Sequence, residues 1–183
     1  MKSIVFTLVL ATLTTTLLRA QPSPPSADEI LIEAYQQAAK ENKAVFIMFH
    51  ASWCVWCHRM DDSMKEPALK KYFDDYFVIR HLVVDETDAK KNEENPGANE
   101  LRLKYHGDGA GIPFWLMLDK NGKLLADSKL RPAGASMDEP GENVGCPAAE
   151  DEVNYFIGLL KKFTKLNDLQ LEQIRKRFRD NDK

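Results

Sequence analysis

An unbroken apolar run, Ala44-Val45-Phe46-Ile47-Met48-Phe49, leads through His50-Ala51-Ser52-Trp53 into Cys54-Val55-Trp56-Cys57. No other stretch constrains the fold as tightly. Successive strand side chains point to opposite sides, so a run with no polar alternation suits a strand buried on both faces. If a helix starts at Cys54, the first thiol sits over unpaired backbone N–H groups at the positive end of the helix dipole. Both favour the thiolate, which is the form that attacks disulfides. The second thiol follows one turn later, near enough to close a ring, so the spacing suits a two-step electron exchange.

The remaining elements follow from periodicity and turn chemistry. Asp28 can cap a helix running to about Asn42, with Ile30, Leu31, Ala34, Tyr35 and Ala38 on its apolar face. In the helix after Cys54, Met60 and Met64 fall on the side of Cys57. Pro67 suits the first position of a further helical segment. Residues 77–84 read as a second strand, 88–95 as a charged loop or helix end, and 99–105 as helical. A glycine-rich loop, 107–111, leads to Ile112-Pro113 and a third strand at 114–118. Asn121-Gly122 then turns the chain back into 123–126 as a hairpin. Residues 128–145, rich in Gly and Pro, read as a long surface loop. Pro147 opens a helix with Val153, Phe156, Ile157 and Leu160 on one face, and a last helix at 168–178 carries Leu171, Ile174 and Phe178. This order predicts an α/β fold with a small mixed sheet and helices on both faces.

The first residues read differently. Lys2, the apolar run 4–18 and Arg19-Ala20 form a signal peptide cut near Ala20, because the run is short for a membrane span. Residues 21–27 are then a flexible leader, and 28–183 is one domain of a size that can bury a real core. The net charge of −3 argues against a nucleic-acid surface, and the mature chain would be more acidic still without Lys2 and Arg19. Three cysteines are too few for a disulfide-stapled scaffold. Export together with a Cys-x-x-Cys pair points to redox work outside the cytoplasm.

Phe49-His50-Ala51-Ser52-Trp53-Cys54-Val55-Trp56-Cys57, with Ile112-Pro113 downstream, resembles the thioredoxin family, and the stretch Phe46 to Cys57 resembles above all the thioredoxin-like domains of bacterial periplasmic thiol reductases. The resemblance covers about residues 28–165 and implies a thioredoxin-like fold, here with an extra C-terminal helix. It implies Cys54 as nucleophile and Cys57 as resolving thiol. It also implies a cis Pro113 facing the dithiol, Ile112 as the residue whose backbone pairs with an extended substrate, and Trp53 lining the site. Trp56 is expected to form an apolar rim for partner proteins. The implied function is an exported, periplasmic thiol–disulfide oxidoreductase acting on protein thiols and disulfides. It would need a separate electron donor or acceptor protein, no dissociable cofactor or metal, and no membrane after signal cleavage. Two departures stand out. The family's buried aspartate, six residues before the first cysteine, is Met48 here, and the pair between the cysteines is Val55-Trp56 rather than Gly-Pro.

Other readings stay open on the residues alone. Cys54 and Cys57 could be a structural disulfide, or could join Cys146 and His58 around zinc. Cys54-Val55-Trp56-Cys57-His58 is also the attachment pattern of a c-type haem, with His58 as axial ligand. The fold could equally serve as a non-catalytic module that binds client proteins. His50 could replace the missing aspartate or be a strand-end histidine. Trp115 reads as strand core. Cys146, before Pro147, is placed at a helix N-cap where the dipole would lower its pKa.

Overall fold

The computed structural model describes residues 23–183, so the expected signal segment and the cut expected near Ala20 lie outside the described residues. The first helix, α1 (Ala27–Glu41), starts two residues earlier than the pattern suggests. Its cap is Ser26 rather than Asp28. The Ser26 hydroxyl accepts the Glu29 N–H at 3.2 Å, and the Glu29 carboxylate accepts the Ser26 N–H at 2.8 Å. This reciprocal pair satisfies two orphan donors, leaving Asp28 in the first turn where its charge faces the positive helix end. Asn42 closes the helix in the left-handed conformation, with φ 55°.

The chain continues through β1 (Ala44–His50), α2 (Val55–Lys65), α3 (Lys70–Asp74), β2 (Phe77–Val83), a 3-10 turn (Asp88–Glu93) and α4 (Ala98–Lys104). It ends with β3 (Phe114–Leu118), β4 (Leu124–Asp127), β5 (Lys129–Leu130), β6 (Glu142–Asn143), α5 (Glu150–Phe163) and α6 (Asp168–Arg179). Pro67 does not open a helix. The N–H groups of Leu69 and Lys70 both close on the Glu66 carbonyl, forming a turn before α3 begins.

The main sheet has the order β2-β1-β3-β4. Strand β1 pairs parallel with β2 and antiparallel with β3, and β4 returns antiparallel to β3. Strand parity sorts the core into two layers. Val45, Ile47 and Phe49 face α1 and α4, packing with Leu31, Ala34, Ala38, Leu116 and Leu118. Phe46 and Met48 face the other way, toward α2, α5 and α6. On that side the aromatic rings form a chain: Phe46 lies 5.5 Å from Trp115, Trp115 5.6 Å from Phe156, and Phe156 5.0 Å from Phe178. The uniform hydrophobicity of β1 follows from this, since both of its faces are covered.

Residues 128–145 are not a simple surface loop. Their two ends pair as β5 and β6, with Lys129 opposite Asn143 and Leu130 opposite Glu142. The Arg131 guanidinium makes a two-pronged contact with the buried Asp127 carboxylate, at 2.7 and 2.8 Å, and Ser128 is fully buried. Apart from Glu142, the exposed residues of the segment lie in its tip, between 132 and 140. The next helix also starts later than Pro147 suggests, at Glu150 with Ala149 as its cap. The Glu152 carboxylate accepts the N–H groups of Ala148 and Ala149, both at 2.9 Å, and this fixes the boundary.

Candidate functional site

Strand β1 ends at His50, and Ala51-Ser52-Trp53 carries the chain to Cys54, the N-cap of α2. Cys54 has extended backbone geometry, and its sulfur accepts the Cys57 N–H at 3.2 Å. Cys54 and Cys57 are joined as a disulfide, with their Cα atoms 5.3 Å apart. Both are buried and pack against Ala51 and Ile112. The Ile112–Pro113 bond is cis, and the Ile112 carbonyl oxygen lies 3.6 Å from the Cys54 sulfur. Two segments widely separated in sequence therefore meet at one sulfur.

Around the dithiol the apolar surface is open. Trp53 is 53% exposed, Val55 62% and Trp56 43%, so together they form a rim beside buried sulfurs. The Arg59 guanidinium lies over the Trp56 ring, 4.6 Å from its centroid. The Trp53 indole N–H donates to the Asp85 carbonyl at 2.8 Å, and the Asp85 side chain is held by Arg102. Next to it, Glu86 accepts the Ser52 N–H at 2.5 Å and the Ser52 hydroxyl at 2.9 Å. Burial alone would raise the Glu86 pKa, but these two donors and Lys90 outweigh it and hold the carboxyl below its ordinary value. Asp85 and Glu86 thus fix the approach to α2. No short-range signal marked them, because they lie more than thirty residues from the segment they hold.

His58 is exposed, as expected, and its Nε2–H donates to the Ser52 carbonyl at 2.9 Å. That contact turns the ring toward its own loop. Both sulfurs are buried against Ala51 and Ile112 and His58 is turned away to the Ser52 carbonyl, so the attachment points and axial ligand of a c-type haem do not fit this arrangement. Nor do Cys146 and His58 converge with the dithiol: among the described residues no group of three or more His, Cys, Asp or Glu side chains is placed to hold a metal ion. Cys146 departs further from expectation. It lies three residues before the α5 cap and is buried, and Asn181 donates to its sulfur at 3.5 Å. Burial pushes the thiol up to about 12, opposite to the lowering that a helix N-cap would give.

Beneath α2 the missing aspartate is not replaced by a carboxylate from β1. His50, two residues beyond Met48, is half-buried, and its ring centroid is 5.0 Å from that of His81 on β2. The His81 Nε2–H donates to Asp61 of α2 at 2.8 Å. Burial, then the neighbouring His81, lowers the His50 pKa to about 4, so the ring is neutral near pH 7. Trp115 is fully buried in β3, as its pattern predicts, and its indole N–H donates to the Gly145 carbonyl at 2.8 Å. A groove of about 430 Å³ runs from Trp56 along residues 110–113 on one side and 143–146 on the other.

The family described as Thioredoxin-like matches over residues 29–120, half of the chain and the part that carries the dithiol and cis-proline. This chain belongs to the thioredoxin-like family. Its mixed four-stranded sheet and flanking helices are the arrangement the resemblance implied, and the additional C-terminal helix is the one expected from its apolar spacing. It is similar to disulfide bond reductase DsbH of Chlamydia pneumoniae, 28% identical over 110 residues that make up 59% of this chain and 65% of that protein. It is likewise 28% identical over 146 residues to protein disulfide-isomerase A2 of Pongo abelii, covering 69% of this chain but 27% of that protein. The chain thus spans less than two thirds of either relative. Among solved structures it is similar to a disulphide isomerase from Xylella fastidiosa, at 21% identity and TM-score 0.47, covering 61% of this chain and 80% of the other. The family match stops before the 128–145 segment, α5 and α6.

Proposed function

We propose that this protein is a thiol–disulfide oxidoreductase that reduces or exchanges disulfides in proteins through Cys54 and Cys57. One observation carries the reading: a cysteine pair caps the first turn of α2, with the cis Ile112–Pro113 carbonyl edge 3.6 Å from Cys54. In the reduced protein the Cys54 thiolate attacks one sulfur of a substrate disulfide. A Cys54–substrate bond forms, the substrate S–S bond breaks, and the departing thiolate takes a proton. The Cys57 thiolate then attacks the Cys54 sulfur, releasing the second substrate thiol and leaving the Cys54–Cys57 disulfide. Two electrons have passed to the substrate, and an electron-donor protein must return them. The N-terminus of α2 supports Cys54 as the attacking group, because the Cys57 N–H already points at its sulfur. Trp53, Trp56, Ile112 and Pro113 would form the surface on which the substrate chain docks.

The relatives' names, a disulfide bond reductase and a disulfide-isomerase, support the same chemistry. Export to the periplasm rests on the signal-like first twenty residues. Among the described residues no helix is long and apolar enough to cross a membrane.

The test is turnover of disulfide-bonded insulin with dithiothreitol as reductant. Cys54→Ser is expected to reduce the rate to that of dithiothreitol alone, while Cys57→Ser accumulates a Cys54–insulin mixed disulfide visible by mass. Unchanged turnover in Cys54→Ser would refute Cys54 as the nucleophile, and wild-type turnover no faster than dithiothreitol alone would refute the enzyme and leave a binding module. The reduction potential separates the directions: about −270 mV marks a reductant, and about −180 to −120 mV an isomerase or oxidant.

A further inference from the structure

Asn143 sits on β6, in the segment beyond the family match, and reaches across to the loop that carries the cis-proline. Its side-chain amide donates to the Ala110 carbonyl at 2.9 Å and the Pro113 carbonyl at 3.2 Å, with the Gly111 carbonyl at 3.5 Å. Its own oxygen accepts the Gly145 N–H at 3.3 Å, which sets the amide so that both N–H donors face the loop. Three carbonyls bracketing Ile112 are therefore gathered by one side chain. The Ile112 carbonyl is left out of the cluster, on the Cys54 side.

Neighbouring contacts make this a two-ended grip. Lys129, paired with Asn143 across the hairpin, is buried and donates to the His106 carbonyl at 2.8 Å, near the start of the same loop. At the other end, Trp115 holds Gly145, whose positive φ of 52° turns the backbone beside Pro113. A loop containing Gly107, Gly109 and Gly111 has little shape of its own. The inserted hairpin supplies it, and supplies the facing wall of the groove as well.

We propose that Asn143 is a positioning residue for polypeptide substrates: from the inserted hairpin it holds residues 110–113 in the form that receives an extended chain beside the dithiol. This rests on the oxidoreductase reading above. It concerns docking and not sulfur chemistry, because Asn143 touches neither cysteine. A small disulfide needs only access to Cys54, whereas a protein disulfide must also lie along the loop edge.

The experiment compares wild type, Asn143→Ala and Asn143→Asp on insulin and on oxidised glutathione, with dithiothreitol as reductant. The aspartate is near-isosteric and keeps the Gly145 acceptor, so it probes the lost donors even if the alanine variant folds poorly. Both variants are expected to lose at least tenfold in kcat/KM on insulin, mostly through KM. On oxidised glutathione kcat/KM stays within twofold, with an unchanged reduction potential. Equal losses on both substrates, or wild-type kinetics on insulin, would overturn the role of Asn143 alone. If wild type turns over neither substrate, the oxidoreductase reading falls and this inference falls with it.

Discussion

His50 shows how far one side chain's chemistry depends on partners that are distant in sequence. Its ring faces His81 from β2, with Asp61 and His58 of α2 and Glu86 also close enough to act on it. Burial and His81 win over the two carboxylates, and the folded-state pKa drops to about 4 against about 6.5 in an unfolded chain. Between those values the unfolded chain binds a proton that the native protein refuses. His50 therefore costs stability as pH falls from about 6.5 to 4. Urea titrations at several pH values should show wild type losing stability more steeply across that window than His50→Gln. Parallel slopes would remove the argument. The cysteine pair at a helix start was legible because its spacing is local, whereas the cis Ile112–Pro113 bond was expected only from the resemblance to the thioredoxin family. The surroundings of His50 were not, since Asp61 and His81 lie twenty residues apart and meet only when α2 packs on β2. Cys146 departs from its local pattern for a related reason: Glu152 moves the helix start past it, and burial then outweighs any dipole.

Among the elements, the hairpin of β5 and β6 is where composition misled. Gly and Pro between 128 and 145 describe the exposed tip correctly, but strands of two residues are too short to leave a periodic trace. Their anchor is the ion pair at the hairpin base. Arg131 and Asp127 side chains are 6% and 1% exposed, and Asp127 also accepts the Lys129 N–H at 2.9 Å. Removing one partner strands the other as a buried charge, which is far more costly than the net worth of the pair. Arg131→Met is expected to destabilise the protein by about 3–5 kcal/mol in denaturant unfolding. The double variant with Asp127→Asn should recover much of that loss. A single-variant loss below about 1 kcal/mol, the scale of surface pairs, would show that the pair is solvated in solution. The helices were far more legible: α5 and α6 carry apolar residues at helical spacing, and those residues are the buried ones.

Over the whole molecule, the sheet divides two cores, and α6 completes the one beneath the dithiol. Phe178 is fully buried, 5.0 Å from Phe156 and 6.4 Å from Phe73, so it ties the C-terminal helix to α5 and α3. Phe178→Ala should cost about 3–5 kcal/mol, the usual range for emptying an aromatic core site. It touches neither cysteine, so the Cys54–Cys57 potential should not move. A stability loss below about 1 kcal/mol would show α6 to be an appendage rather than part of the core. By itself the sequence determined the order of the longer helices and of the four strands of the main sheet, the double-sided burial of β1 and the place of the cysteine pair at a helix start. Each of these is written in local spacing or in the character of a short run. Only the tertiary structure decided that Ile112 meets Cys54, that Asp85 and Glu86 hold Ser52 and Trp53, and that Asn143 grips the loop before β3. Those contacts join residues tens of positions apart, and their geometry is set by how β1, β3 and the hairpin of β5 and β6 pack, which no single stretch of sequence encodes.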